Sequence, residues 1–326
     1  VARIKIMSNL DIAEKRIPQD GHFRVRTDAG TVNIRVSLMP TVFGEKAVLR
    51  LLNTSGQLDY ADQFGMENES YQRFLPMLNT NNGIVYITGP TGSGKSTTLY
   101  MILEYLAKRM VNISTIEDPV EKNVQGVNQT QVNPAAGLTF ETGLRALLRQ
   151  DPDVIMVGET RDRETAGISV RAAITGHLVL STLHTNDAAS SIVRLEDMGV
   201  ETYLIANSMV GMVAQRLMRK VCRRCAREMD TTLEERKFLG EDVKRVCRGR
   251  GCNHCNNTGY RGRIAVHEIL TVDGPLRRMI SNHCSMEEVV AYAREHQQMR
   301  TLKENGARLV KAGVTTPEEL LKIAYE

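Results

Sequence analysis

A lysine and a serine at the end of a glycine-rich turn are the residues best suited to chemistry in this chain. Gly89-Pro90-Thr91-Gly92-Ser93-Gly94-Lys95-Ser96-Thr97 satisfies the full phosphate-loop spacing. The glycines let backbone N–H groups turn inward around a triphosphate, and a following helix N-terminus adds a favourable dipole. Lys95 is placed to reach β- and γ-phosphates, and the Ser96 hydroxyl to ligate Mg²⁺. A purely structural glycine turn would leave the Lys-Ser pair unexplained. ATP and Mg²⁺ are therefore the expected ligands.

Carboxylates supply the second half of such a site. Asp151-Pro-Asp-Val-Ile-Met-Val-Gly158-Glu159 is an apolar strand ending in an acid. An acid there can hold Mg²⁺ through water or polarise an attacking water. The usual motif places Asp directly after the apolar run, whereas Gly158-Glu159 stands here, so metal, water or both remain open as the target of Glu159. A cap on the following turn is the bland alternative. Ile116-Glu117-Asp118-Pro119-Val120-Glu121 is a second strand end, with three acids and a proline that stops the strand. These acids are candidates to lie beside the phosphates, against the plain alternative of an acidic surface turn. His177 and His184 flank the apolar run Leu178–Leu183. A histidine at a strand end can sense a γ-phosphate, and it can equally be a satisfied capping group.

Cys222-Arg-Arg-Cys225 and Cys252-Asn-His-Cys255 are paired CxxC knuckles. Four thiolates suit tetrahedral Zn²⁺, and a closed site of this type is structural. The intervening stretch is longer than the commonest ribbon spacing, which a loop accommodates. Redox dithiols or buried free thiols are the alternatives. Cys247 and Cys284 are left over, and His254 is a bystander.

The elements that must position these groups follow from the apolar pattern. Ile84–Thr88 reads as a buried strand running into the phosphate loop, with a helix opening at Thr97 and continuing towards Arg109. Ile113–Glu117, Val154–Val157 and Leu178–Leu183 read as further strands alternating with helices, the pattern of a parallel α/β sheet. Before them, residues 1 to about 75 read as a small α+β unit. It has a helix over Ile4–Leu10, a turn at Asp20-Gly21 and strands at Phe23–Thr27, Val32–Leu38 and Lys46–Leu52. Arg24, Arg26, Arg35 and Arg50 lie on those strands. Asp59–Asn82 is polar and helix-prone, with turn residues at its end, and fits a domain junction. Cys222–Cys255 reads as a basic, loop-rich insertion. Pro275–Glu326 is helical in periodicity, with a helix start at Thr316-Pro317-Glu318-Glu319.

Composition bounds the alternatives. The chain has 326 residues, a net charge of +4 with acids and bases interspersed, and no tryptophan. That suits two or three domains and argues against a dedicated nucleic-acid binder. No apolar run approaches the roughly 20 residues of a membrane span, and no signal peptide is present. The six cysteines cluster apart from Cys284, which is not a disulfide framework. A first residue of Val suggests a fragment of a longer protein.

Taken together, the chain resembles the ATPases of bacterial type II secretion and type IV pilus assembly. The marks run along essentially its whole length: RIPQDG at Arg16–Gly21, GPTGSGKSTTLY at Gly89–Tyr100, IEDPVE at Ile116–Glu121 and LRQDPDVIMVGETRD at Leu148–Asp162. TGHLVLSTLHTN at Thr175–Asn186, AQRL at Ala214–Leu217 and GYRGR at Gly259–Arg263 complete the set. The resemblance implies a hexameric, RecA-like cytoplasmic motor. A small PAS-like N-terminal domain (residues 1–78) precedes an ATPase domain (79–326) with a zinc insertion (220–258) and a helical tail (275–326). Nucleotide would lie between the two domains. His184 becomes functional on this view, together with Glu159, Glu117, Asp118 and Glu121. Arg35 and Arg50 match the family's clamp positions, and Arg145, Arg149, Arg161 and Arg263 match other nucleotide-site arginines. Arginine suits such work because its planar fork binds phosphate bidentately.

The implied partners are an inner-membrane platform protein and a membrane-anchoring adaptor, the latter through an upstream region outside this sequence. Retraction motors of the same kind generally lack the four-cysteine insertion, which favours assembly or secretion. The competing function is a nucleic-acid translocase or binder using the basic zinc knuckle, where Arg223, Arg224, Arg245, Arg248 and Arg250 cluster. The knuckle has no aromatic stacking platform, which weighs against it.

Overall fold

The computed structural model describes residues 1–27, 30–52 and 63–324. Two compact units emerge, one spanning Val1–Gln57 with Pro119–Asn123, the other Leu58–Asp118 with Val124–Glu326.

The first unit is a helix α1 (Ala2–Met7) and an antiparallel sheet of β1 (Gln19–Thr27), β2 (Gly30–Thr41) and β3 (Gly44–Leu52), in that order. The three expected strands are present and longer than the apolar alternation suggested. Asp20-Gly21 is not a turn: both residues lie in β1, opposite Ser37 and Val36. Gly21 is small for another reason, since a Cβ there would come within 3.0 Å of Leu10 and Ser8. Alternation on paired strands sorts side chains by face. Val36 and Leu38 turn inward, while His22, Arg35 and Arg50 stand directly opposite one another on the exposed face. Lys5 is buried and is held by Glu45 Oε1 at 2.5 Å. The segment Pro119–Asn123 joins this unit through bonds from Asn33 Nδ2 to the Glu121 carbonyl and from Arg24 Nη2 to Asn123 Oδ1.

The second unit is built on a seven-stranded sheet of order β12-β9-β4-β8-β7-β5-β6. β4 (Gly83–Thr88), β5 (Ile113–Glu117), β7 (Val154–Val157) and β8 (Leu178–Leu183) coincide with the four expected strands. β6 (Val127–Gln131), β9 (Met209–Val221) and β12 (Tyr260–Thr271) were not evident from the pattern. All neighbours are parallel except the β12–β9 pair. Alternate residues of β4 enter different cores. Ile84 and Tyr86 pack with helices α4 (Phe140–Leu147), α5 (Arg163–Ile174) and α6 (Ser190–Asp197). Val85 and Ile87 pack with α3 (Lys95–Leu106) and α2 (Asn68–Phe74). Helices therefore cover both faces, as a largely parallel sheet requires. Because Phe64, Met66, Phe74, Met77 and Leu78 belong to this core, the segment from Phe64 to Leu78 sits with the second unit, not the first.

After α7 (Thr202–Ser208), β9 leads into the cysteine-rich insertion. This is more regular than a loop: β10 (Ala226–Asp230) and β11 (Arg245–Gly249) pair antiparallel around α8 (Leu233–Leu239), whose Thr232 and Glu235 form a capping box. The expected helical tail is α9 (Gly274–Ser281), α10 (Met286–His296), α11 (Leu302–Lys311) and α12 (Pro317–Ala324). α12 is locked to β9 by Glu319, whose buried carboxylate takes Arg219 Nε at 3.0 Å and the Arg219 backbone N–H at 2.8 Å. Among the described residues no helix is long and apolar enough to cross a membrane.

Candidate nucleotide site

The carboxyl ends of parallel strands are where α/β sheets hold ligands. β4, β7 and β8 run parallel, so their ends bring the phosphate loop, Glu159 and His184 to one edge. His177, at the opposite end of β8, is excluded from that edge and instead contacts the Ala172 carbonyl through Nδ1 at 3.0 Å.

The turn from β4 into α3 shows why the loop needs its glycines. Gly89 and Gly94 have φ of 148° and 91°, and a Cβ on either would strike β9. At Gly89 it would come within 2.5 Å of the Gln215 carbonyl, and at Gly94 within 2.9 Å of Gln215 Nε2. Lys95 opens α3, two residues earlier than expected. Its ammonium donates to the Gly89 and Pro90 carbonyls at 2.6 and 3.0 Å. Burial, and then the Arg216 charge, pull Lys95 down to about 8, with Glu159 acting in the opposite direction. Ser96 and Thr97 are exposed at the first turn of α3. The inward-turning loop, a lysine at its end and an accessible hydroxyl fit a phosphate-bound Mg²⁺.

Glu159 is mostly buried and forms an ion pair with Arg161, Nε to Oε2 at 2.6 Å, while His184 Nε2 lies 3.9 Å from the same oxygen. Burial first, then the charges of Lys95, Arg161 and Arg194, hold His184 below its ordinary value, so it is neutral at pH 7. The His184 loop is fastened to the phosphate loop at its base. Thr88 Oγ1 accepts from the Thr185 N–H at 2.9 Å, and the two hydroxyls are 2.6 Å apart.

The three acids of Ile116–Glu121 part company. Glu117 is buried, taking hydrogen bonds from Tyr100, from Thr115 Oγ1 at 2.6 Å and from Gln129 Nε2 at 3.0 Å. Asp118 is exposed at the end of β5, and Glu121 belongs to the first unit. Arg161 is at the Glu159 edge. Arg145 pairs with Glu141 on α4, Arg149 donates to the Arg145 carbonyl, and Arg263 lies opposite Arg219 at the start of β12.

The sequence reasoning noted Gln215 and Arg216 only within the AQRL run of the resemblance and gave them no role; they are buried on β9 beneath the loop. Gln215 Nε2 donates to the Ser93 carbonyl at 2.9 Å, and Thr98 Oγ1 donates to Gln215 Oε1 at 2.9 Å. Arg216 Nη2 donates to the Asn186 carbonyl at 3.0 Å. The signals available were the AQRL run and the polar pair it places inside an otherwise apolar stretch, Met209–Met218.

The four cysteines come together as expected. Their sulfurs all lie within 4.8 Å of one another, with Cys222–Cys252 and Cys225–Cys255 each at 3.9 Å and Cys252–Cys255 at 3.7 Å. A tetrahedral ion with Zn–S of about 2.3 Å has sulfurs roughly 3.8 Å apart, so the set fits zinc. Burial raises the Cys255 thiol, but N–H donors from Cys252 and Gly259 outweigh it and bring the group down to about 6, favouring thiolate. The arginines nearby are partly neutralised: Arg245 meets Glu228 and Asp230, and Arg248 bridges Glu235 and Glu318.

The family profile described as Type II/IV secretion system protein matches residues 1–322. The chain belongs to that family. It is 48% identical over 331 residues to the type IV pilus assembly ATPase PilB of Thermus thermophilus, covering all of this chain and 37% of that protein. It is 44% identical over 329 residues to the type II secretion system ATPase E of Vibrio cholerae, covering 100% and 65%. The chain thus spans about two thirds or less of these relatives. Among solved structures, the pilus retraction motor PilT with bound ADP superposes with a TM-score of 0.70 at 27% identity, over 95% of this chain and 78% of that one. The Legionella pneumophila ATPase DotB shares the fold, with a TM-score of 0.67 at 23% identity over 95% and 78%.

Proposed function

We propose that the chain is the ATP-hydrolysing portion of a RecA-like hexameric motor. It would power assembly of a type IV pilus or a type II secretion pseudopilus from the cytoplasmic face of the inner membrane. The observation that carries this is the convergence of Lys95, Ser96, Glu159 and His184 at the carboxyl ends of β4, β7 and β8. The named relatives, one from each machine, support it. The platform protein and adaptor remain the proposed partners, and the first unit the proposed PAS-like domain.

In the proposed reaction, water attacks the γ-phosphorus, the bond to the β–γ bridging oxygen breaks, and ADP and phosphate leave. Glu159 takes a proton from that water, and Lys95 offsets charge developing on the phosphate oxygens. Ser96 would hold Mg²⁺, which would supply further charge neutralisation at the phosphates. Neutral His184 donates a hydrogen bond to the γ-phosphate. Arg35 and Arg50 close onto the nucleotide from the first unit, and Arg145, Arg149, Arg161 and Arg263 serve the nucleotide or a neighbouring subunit. Zinc is structural. The ion pairs around Arg245 and Arg248 weigh against nucleic acid as the partner of the knuckle.

Phosphate release by Lys95→Ala and Glu159→Gln tests the reading. Both variants are expected to stay folded by thermal unfolding and to lose turnover by about 100-fold or more. Parental turnover by Glu159→Gln would remove that residue from the reaction.

A further inference from the structure

We infer that Gln215 of β9 is a positioning residue that sets the shape of the phosphate loop and thereby its affinity for a nucleoside triphosphate. This rests on the nucleotide-binding reading above. The amide lies at a crossing of three elements and is almost completely buried. Through Nε2 it donates to the Ser93 carbonyl at the crest of the loop. Through Oε1 it accepts from Thr98, one turn into α3. Its backbone carbonyl crowds the Cβ direction of Gly89, and its Nε2 crowds that of Gly94. One residue thus touches the beginning, crest and end of the loop.

The direction of these bonds matters. A phosphate cradle works when its N–H groups face inward, so its carbonyls must be satisfied outward. Gln215 takes up the Ser93 carbonyl from behind the loop, where solvent does not reach. It simultaneously pins α3, so the loop is held at both its crest and its exit. A side-chain amide of this length does both, because it donates at one end and accepts at the other. Glutamate at this position can accept from Thr98 but cannot donate to Ser93. Methionine fills the volume and makes neither bond. The next residue, Arg216, reaches Asn186 and so ties the same strand to the loop that carries His184.

The test is triphosphate affinity of the folded chain, read with a fluorescent ATP analogue and Mg²⁺, alongside kcat and KM. Gln215→Met and Gln215→Glu should each weaken binding about tenfold or more, since the buried Ser93 carbonyl loses its donor in both and Thr98 also loses its acceptor in Gln215→Met. Thr98→Val, which removes only the α3 bond, should weaken it less. KM should rise more than kcat falls, because the cradle and not Glu159 is altered. Tight binding by both Gln215 variants would overturn the inference, even if their melting temperatures drop, because the residue would then serve stability alone. A parental chain that binds no analogue, with Lys95→Ala no different, would instead overturn the nucleotide reading itself. If a Gln215 variant does not fold, Gln215→Asn with Thr98→Ser provides the comparison. The shortened amide should bind analogue more weakly than Thr98→Ser alone, and equal affinity would overturn the inference.

Discussion

Thr88 and Thr185 clasp the ends of β4 and β8, with hydroxyls 2.6 Å apart and the Thr185 N–H donating to Thr88 Oγ1 at 2.9 Å. Thr88 immediately precedes the phosphate loop and Thr185 immediately follows His184. The clasp therefore ties the loop proposed to hold phosphate to the group proposed to sense it. Thr88→Val keeps the shape and leaves the buried Thr185 N–H without this acceptor. It should cost about 1–3 kcal/mol of stability. It should also lower turnover more than nucleotide affinity, because the Gly89–Ser96 cradle remains. Denaturant unfolding and single-turnover phosphate release check the two effects separately. An unchanged turnover would mean that the His184 loop is positioned by Arg216 and Asn186 without the clasp.

Much of this arrangement was legible in the sequence because local and global signals agree there. The run Ile84–Thr88 is buried along its full length, and the glycine spacing after it has one structural use. β5, β7 and β8 were read for the same reason, as short apolar runs bounded by polar turns. β9 was not, because Gln215 and Arg216 interrupt its apolar run, and their polarity makes sense only against the loop they support. The insertion was read as loop because β10 is exposed almost throughout and carries no apolar alternation. The limit of the first unit was hidden because Pro119–Asn123 enters it from far along the chain. Glu117 was a candidate from its strand-end position, given a role by the family resemblance, and its three hydrogen-bond donors come from residues no local pattern links to it.

His267, on β12 opposite Gln215, is buried, and burial drives it down to about 3. The unfolded chain binds a proton near pH 6.5 that the native chain refuses until about pH 3. Its contribution to stability is therefore complete above pH 6.5 and is lost as the pH falls below that value. The maximum slope from one such group is about 1.4 kcal/mol per pH unit. Between pH 5 and 6.5, above the ordinary carboxylate range, His267→Leu should flatten the dependence of unfolding free energy on pH. An unaltered slope would show that His267 becomes charged in the native protein.

One Zn²⁺ per chain is expected at Cys222, Cys225, Cys252 and Cys255. Metal binding and local folding are coupled when thiolates have no other way to close. A strong chelator should therefore remove zinc and lower the melting temperature. Because Cys222 directly follows β9, which carries Gln215, the same treatment should also weaken triphosphate binding, by less than Gln215→Met does. Elemental analysis of freshly purified protein provides the first check. Full zinc retention after Cys252→Ser with Cys255→Ser would exclude these thiols as the ligands.

Arg35 and Arg50 face each other across β2 and β3, with His22 next in the row, so three basic side chains share one exposed stripe. Holding like charges side by side on a sheet is unfavourable by itself, which makes an anionic occupant the natural counterpart. If that occupant is the triphosphate, these arginines act after nucleotide has bound to the phosphate loop, when the first unit closes. Arg50→Ala should then lower kcat by roughly 10³-fold, as expected for loss of an arginine finger, with little change in affinity. Arg50→Lys should fare no better if the bidentate fork is what matters, and should recover activity if charge suffices. Arg35→Ala and Arg35→Lys divide the work between the two positions. Turnover and affinity must be compared at matched oligomeric state, established by light scattering, because a ring that fails to assemble would mimic the loss. Parental turnover by both alanine variants in the parental assembly state would make the stripe a solvated sheet face. Coupling between the units would then have to run through another residue.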